Sequence, residues 1–192
     1  MKINIGGLQK FSLSDYPNKI AAIIFLRGCN FRCSYCHNKN LWNVALKSMP
    51  LDSVFDFLKS RKNQLDGVVI TGGEPTIYAD LPIFLQKIKN IGYHIKLNTN
   101  GSYPHRLKIL IQKNLLDYIA MDIKAPFGKY NAVCMRKIDI QKIQQSISLI
   151  TESHLLHEFR TTYHLDLFPK KDLNIIKNYI PHNSQYFITP AQ

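Results

Sequence analysis

Short apolar runs alternate along this chain with segments of helical period, and that alternation constrains the fold more than any other feature. An apolar run with no polar alternation suits a strand covered on both faces, which is the condition of a parallel sheet flanked by helices. Six such runs are read as strands: Ile20–Leu26, Gly67–Thr71, Tyr93–Asn98, Tyr118–Ile123, Leu156–Thr161 and Gln185–Thr189. Between them lie amphipathic stripes at helical spacing: Leu51, Val54, Phe55 and Leu58; Leu81, Phe84, Leu85 and Ile88; Leu107, Leu110 and Ile111; Ile140, Ile143, Ile147 and Ile150; and Leu173, Ile176 and Ile180. The pattern predicts an α/β fold of six βα units, two short of a closed eightfold barrel. At 192 residues and 45% hydrophobic, the chain can bury one sizeable core. Without a linker or internal repeat, a single domain over residues 1–192 is expected.

In parallel α/β folds the chemistry collects where strands run into the following loops. The polar clusters of this sequence fall at those places. The first strand leads into "GCNFRCSYCHN" (Gly28–Asn38), the second into "TGGEP" (Thr71–Pro75) and the third into "NTNG" (Asn98–Gly101). The fourth closes on "MDIKAP" (Met121–Pro126), and the fifth carries "FRTT" (Phe159–Thr162).

The cysteines are the sharpest signal. Cys29, Cys33 and Cys36 are spaced C-x3-C-x2-C, whereas a closed tetrahedral metal site takes four ligands. Three thiolates suit a [4Fe–4S] cube whose fourth iron is left without a protein ligand, open to a substrate or cofactor. The competing reading is a zinc site completed by His37 or by a more distant histidine. A chain with four cysteines, three of them crowded into one loop, is no disulfide scaffold and fits a reducing cytoplasm. The N-terminus lacks the apolar core of a secretion signal, and Ile20–Leu26 is too short to cross a bilayer. No membrane association is expected.

Lysine and arginine number 25 against 13 acidic residues, a formal charge of +12. Many of the lysines lie within or beside the helical segments, as on a solvated face. The clustered basic stripe of a nucleic-acid binder is missing, so nucleic acid is not an expected partner. An excess this large still attracts anions over distance, an acidic partner protein among them.

C-x3-C-x2-C with Tyr35 before the last cysteine, followed by "GGEP", resembles the radical S-adenosylmethionine superfamily. More narrowly, "DYPNKIAAIIFLRGCNFRCSYCHN", "TGGEPT", "DYIAMDIKAPFGKY" and "EFRTT" together resemble the activating proteins of anaerobic ribonucleoside-triphosphate reductase, relatives of pyruvate formate-lyase activating enzyme. The likeness runs from about Gly7 to Tyr163. It implies a partial (β/α)6 TIM-like barrel, with Cys29, Cys33 and Cys36 ligating the cluster while S-adenosylmethionine chelates the fourth iron. It further implies that Tyr35 packs near adenine, that Gly72, Gly73 and Glu74 meet the methionyl amine, and that Asn98 and Asn100 contact ribose hydroxyls. The D-x-K pair Asp122 and Lys124 would share one face, with the lysine toward the methionyl carboxylate and a catalytic role implied for it. Arg160 would serve as a carboxylate-binding arm or as an ion pair inside the barrel, and His164 would lie beside the site. The implied partners are a glycyl-radical enzyme, anaerobic ribonucleotide reductase foremost, and a flavodoxin- or ferredoxin-type electron donor. Cys134, in "NAVCMR", falls outside the pattern and is read as an incidental thiol. Three other functions remain open: activation of a different glycyl-radical enzyme, a small-molecule enzyme such as a 7-carboxy-7-deazaguanine synthase, and a simple iron–sulfur electron carrier.

Overall fold

The computed structural model describes residues 1–190; Ala191 and Gln192, the end of the expected domain, lie outside the described residues. The parallel runs form as the alternation requires: β2 (Ala21–Leu26), β3 (Gly67–Gly72), β4 (His94–Thr99), β5 (Tyr118–Asp122), β6 (Leu156–Tyr163) and β7 (Gln185–Pro190). The expectation of six strands is one too few. Ile5–Ser12 forms a further strand, β1, antiparallel to β2, so the sheet has seven strands in the order β1 to β7. Its sequence, IGGLQKFS, escapes the pattern because an edge strand with much of its length partly or fully exposed needs no apolar run.

Helices α1 (Leu51–Ser60), α2 (Leu81–Ile91), α3 (Pro104–Gln112), α4 (Tyr130–Cys134), α5 (Ile140–Glu152) and α6 (Asp172–Lys177) make the crossovers. Their ends carry recognisable stops and starts. The Asp139 side chain caps α5 by accepting from the Gln141 N–H, and α2 stops at Gly92, whose φ of 105° suits a residue without a Cβ. The helical stripes pack on one face of the sheet: Val54, Leu58, Phe84, Leu85, Ile88, Leu107, Leu110, Ile143 and Ile150 are buried against Ile24, Ile70, Leu97, Ile119 and Phe159. Burying each such side chain is worth roughly 1.5–3 kcal/mol, so each stripe anchors its helix.

The opposite face holds a second, smaller cluster. Tyr16, Ala21, Ile23, Val69 and Tyr118 meet there with Phe25 at its edge. A flat sheet would hold residues of β2, β3 and β5 apart; their contact shows that the sheet curls into a partial barrel with these residues inside. The interior also holds charge. Lys96 donates to Glu158 at 3.0 Å, Tyr118 OH donates to the other Glu158 oxygen at 2.8 Å, and the lysine sits 4.7 Å from the Tyr118 ring centroid. Satisfying one another in this way lets these groups stay below the site without water.

Candidate active site

The loops after β2, β3, β4 and β5 meet at one end of the barrel around a single cavity. Its wall includes Cys29, Cys33, Tyr35, Cys36, Gly72, Gly73, Glu74, Asn98, Asn100, Asp122 and Lys124. Eleven of the expected site residues are thus brought together. Arg160 and His164 are not in that wall: Arg160 lies behind Asp122, and His164 sits in the turn after β6 beside Asp166.

Backbone contacts position the cysteine loop. Gly73 N–H donates to Leu26 O, and Glu74 N–H donates to Gly28 O, both at 2.8 Å. A Cβ on Gly73 would lie 1.9 Å from Gly28 O, and one on Gly72, where φ is +118°, 2.3 Å from Leu26 O. The sequence suggests close approach to a ligand as the reason for two glycines; what the backbone approaches this closely is the end of β2 and the start of the cysteine loop.

Glu74 ties the next two loops together. It is 1% exposed. One of its oxygens accepts from Thr76 N–H, Thr76 OH and Thr99 OH at 3.0, 2.5 and 2.8 Å; the other accepts from Asn100 N–H at 2.6 Å. Burial pushes this carboxyl up, against the pull of its donors. Asn100 in turn donates to Asn30 at 3.0 Å, and Asn30 donates to Ser102 at 2.9 Å, which binds the cysteine loop to the end of β4.

The D-x-K pair shares the cavity face as its alternation predicts, although Lys124 stands just past the end of β5. Lys124 Nζ donates to one Asp122 oxygen at 3.0 Å, while Arg160 grips the other through Nε at 3.0 Å and a terminal nitrogen at 2.9 Å. Burial alone would raise the Asp122 carboxyl; the Arg160 and Lys124 cations outweigh it and hold the group at about 2. Lys124 is partly buried, which alone would lower its ammonium, but Asp122 outweighs this and keeps it well above its ordinary value. Arg160 also reaches Glu158 at 3.6 Å, so a chain of charges runs from Lys96 at the barrel floor to Lys124 at the cavity.

Sequence reasoning missed several neighbours. Phe31, Trp42, Thr71, Thr99 and Thr162 also line the cavity, as does His37, which the sequence offered as a zinc ligand. Trp42, the single tryptophan, lies 5.2 Å from the Arg32 guanidinium, and its position just past the cysteine motif was a usable signal. Tyr130 on α4 accepts from Lys124 N–H at 3.0 Å, and Cys134, read as incidental, is buried beside the cysteine loop, its carbonyl accepting from Arg32 N–H at 2.9 Å. The neighbouring Cys134 thiol holds Cys33 down at about 7 and is itself pushed up, whereas burial, then the Glu74 charge, pushes Cys29 up to about 12.

The donor set fits an iron–sulfur cluster and a polar cofactor. Among the described residues, no three His, Cys, Asp or Glu side chains converge as a mononuclear metal ion needs, while all three thiols line the one cavity. Within that wall the Asn98 side-chain oxygen and the Tyr35 hydroxyl are buried with no protein partner, although Asn98 donates to Thr71 at 3.2 Å. Two polar atoms left open in one cavity call for hydrogen-bonding groups from outside the chain.

A partial barrel with three thiols at the mouth of its first parallel strand defines an enzyme that works on a cofactor held against a metal cluster. The chain belongs to the radical SAM superfamily, whose model matches residues 23–179, and it is a radical SAM enzyme. Members of that family use a [4Fe–4S] cluster and S-adenosylmethionine. A Methanocaldococcus jannaschii protein provisionally named a glycyl-radical enzyme activating enzyme is 33% identical over 98% of this chain and 80% of its own length. The pyruvate formate-lyase-activating enzyme of Clostridium pasteurianum is 32% identical over 62% of this chain; the match spans 52% of that enzyme. Among solved structures, Streptococcus suis SuiB superposes with a TM-score of 0.67 at 15% identity, over 85% of this chain and 37% of its own. Native anSMEcpe with bound AdoMet superposes at 0.62 and 18% identity, over 86% and 49%. Both structures support the fold. Among the described residues no helix is long and apolar enough to cross a membrane.

Proposed function

We propose that this chain is an activase that installs a glycyl radical on a larger partner enzyme, with anaerobic ribonucleoside-triphosphate reductase as the target. The observation that carries the activase reading is the near-full-length match to the M. jannaschii protein of that provisional name; the reductase as target rests on the resemblance of the sequence motifs alone. The match to the C. pasteurianum activase supports it.

Cys29, Cys33 and Cys36 would hold the cluster. When bound, the cluster and S-adenosylmethionine would together supply reductive carbon–sulfur cleavage, the source of a radical able to take a hydrogen atom from a partner glycine. The chain's own groups orient and shield. Lys124 offers its ammonium to the methionyl carboxylate while Asp122 and Arg160 fix its position. Asn98 and Tyr35 supply open polar atoms for the ribose and adenine end, and the Glu74 and Asn100 bonds keep the three loops in register. The electron would come from a flavodoxin- or ferredoxin-type donor in the cytoplasm. His164 is left as a flanking group on the turn after β6.

The test is anaerobic incubation of the reduced, reconstituted protein and S-adenosylmethionine with an anaerobic ribonucleotide reductase from the same cell. The expected result is a glycyl doublet in the electron paramagnetic resonance spectrum, lost when the partner's glycine is replaced. Cofactor cleavage with no radical on any glycyl-radical partner would overturn the reading. It would favour a small-molecule reaction such as that of 7-carboxy-7-deazaguanine synthase, whose Halobacterium salinarum form is 34% identical over 41% of this chain.

A further inference from the structure

Three buried groups inside the barrel take no part in the site as described: Lys96 on β4, Tyr118 on β5 and Glu158 on β6. Lys96 is 2% exposed and Glu158 6%, and none of the three is in the cavity wall. A carboxylate this deep stays charged only where partners meet it. One Glu158 oxygen accepts from Lys96 Nζ at 3.0 Å and lies 3.6 Å from Arg160 Nη1; the other accepts from Tyr118 OH at 2.8 Å.

Arg160 stands two residues farther along β6, on the same face as Glu158, and opposite Asp122 on β5. Its Nε and Nη2 both fall on a single Asp122 oxygen, at 3.0 and 2.9 Å. A guanidinium fork facing a carboxylate ordinarily takes both oxygens in parallel. Here the third nitrogen is turned to Glu158, and the second Asp122 oxygen is left for Lys124 Nζ at 3.0 Å. Lys96, Glu158, Arg160, Asp122 and Lys124 thus alternate in sign, and the chain ends on a cation in the cavity wall.

We propose that Glu158 is a positioning residue for cofactor binding: by holding the far nitrogen of Arg160 it keeps the guanidinium on one Asp122 oxygen and reserves the other for Lys124. This rests on Lys124 being the group that meets the methionyl carboxylate. Without the Glu158 charge, Arg160 turns to grip both Asp122 oxygens, and Lys124 loses the contact that fixes its ammonium. Lys96 has a different part. Among the described residues it pairs with Glu158 alone, so it neutralises a buried charge and serves stability.

Calorimetric titration of the reconstituted holoprotein with S-adenosylmethionine, beside urea unfolding, separates the two parts. Glu158→Gln should weaken the cofactor about tenfold, the low end for a hydrogen bond to a charged group, and should lower the midpoint because Lys96 is left unpaired. Combining it with Lys96→Met removes that unpaired charge, so the midpoint should recover while the affinity stays about tenfold down. Lys96→Met alone should bind within about twofold of wild type. A Glu158 that merely held the fold would bring affinity back together with stability in the double variant, and that recovery would overturn the proposal. So would wild-type affinity in Glu158→Gln, or a Lys96→Met protein weakened as much as Glu158→Gln. If neither Glu158 variant assembles a cluster, Glu158 is holding the fold and the proposal falls. Lys124→Ala is run beside them: unchanged affinity there would sink the reading of Lys124 itself, separately from the Glu158 link.

Discussion

Replacing Gly73 by alanine tests how the cysteine loop is framed. The added Cβ would lie 1.9 Å from Gly28 O, 2.6 Å from Gly28 C and 3.2 Å from Cys29 N, all backbone atoms. Relief therefore requires the two chain segments to part by about 1 Å or more to restore ordinary contact distances. That separation breaks the Gly73–Leu26 and Glu74–Gly28 bonds, each 2.8 Å long. Overpacking costs roughly 1–3 kcal/mol and the two bonds about 1 kcal/mol each, giving about 3–5 kcal/mol. With a urea slope of about 2–3 kcal/mol/M, the unfolding midpoint should fall by roughly 1–2.5 M. Cys29 moves with Gly28, so cluster content should drop as well. Gly128→Ala is the control, because nothing lies within 4 Å of its added Cβ. Urea titration followed by circular dichroism, with iron counted on the same samples, gives the answer. A Gly73→Ala protein of wild-type midpoint and iron content would refute the framing.

Asp122→Asn should cost stability at neutral pH and flatten its acid dependence. The Asp122 carboxyl is held at about 2 against an ordinary 3.8, so its contribution of roughly 2 kcal/mol is present above pH 3.8 and disappears as the pH falls through 2. Unfolding of wild type and variant across that window should converge. Lys124→Ala leaves Asp122 gripped by Arg160, so the fold and iron content should hold while S-adenosylmethionine affinity, read by calorimetry, drops by about 1–3 kcal/mol. If the +12 charge steers partner docking, association should slow as salt rises, since exposed charges are screened within about 10 Å at 0.1 M; stopped-flow binding measures it.

What was legible in the sequence followed from local pattern. Strands β2 to β7 fall within two residues of the runs that predicted them; for β2, β3 and β5 the reason is burial on both faces, which leaves little room for polar residues, whereas β7 is a largely exposed edge. The edge strand β1 carries no such constraint and was missed. The wall of the cavity was legible because βα loops converge by topology alone, which is why Cys29, Glu74, Asn98 and Lys124 meet as expected. Pairings across the barrel were not. Alternation puts Asp122 and Arg160 on inner faces, yet only the register of β5 on β6, with Asp122 opposite Arg160, makes them partners. The same limit hid the Lys96–Glu158 pair and the approach of Cys134 to Cys33; of the two roles open to Arg160 the fold shows the ion pair inside the barrel, and it sets His164 outside the cavity wall.

The most direct test of the three-cysteine, open-iron site is electron paramagnetic resonance of the dithionite-reduced, anaerobically reconstituted protein, recorded with and without S-adenosylmethionine. The account predicts one [4Fe–4S] signal per chain, changed in shape by the cofactor and abolished by Cys29→Ala, Cys33→Ala or Cys36→Ala. A signal indifferent to S-adenosylmethionine, or one zinc per chain in place of iron after iron-replete anaerobic expression, would contradict it.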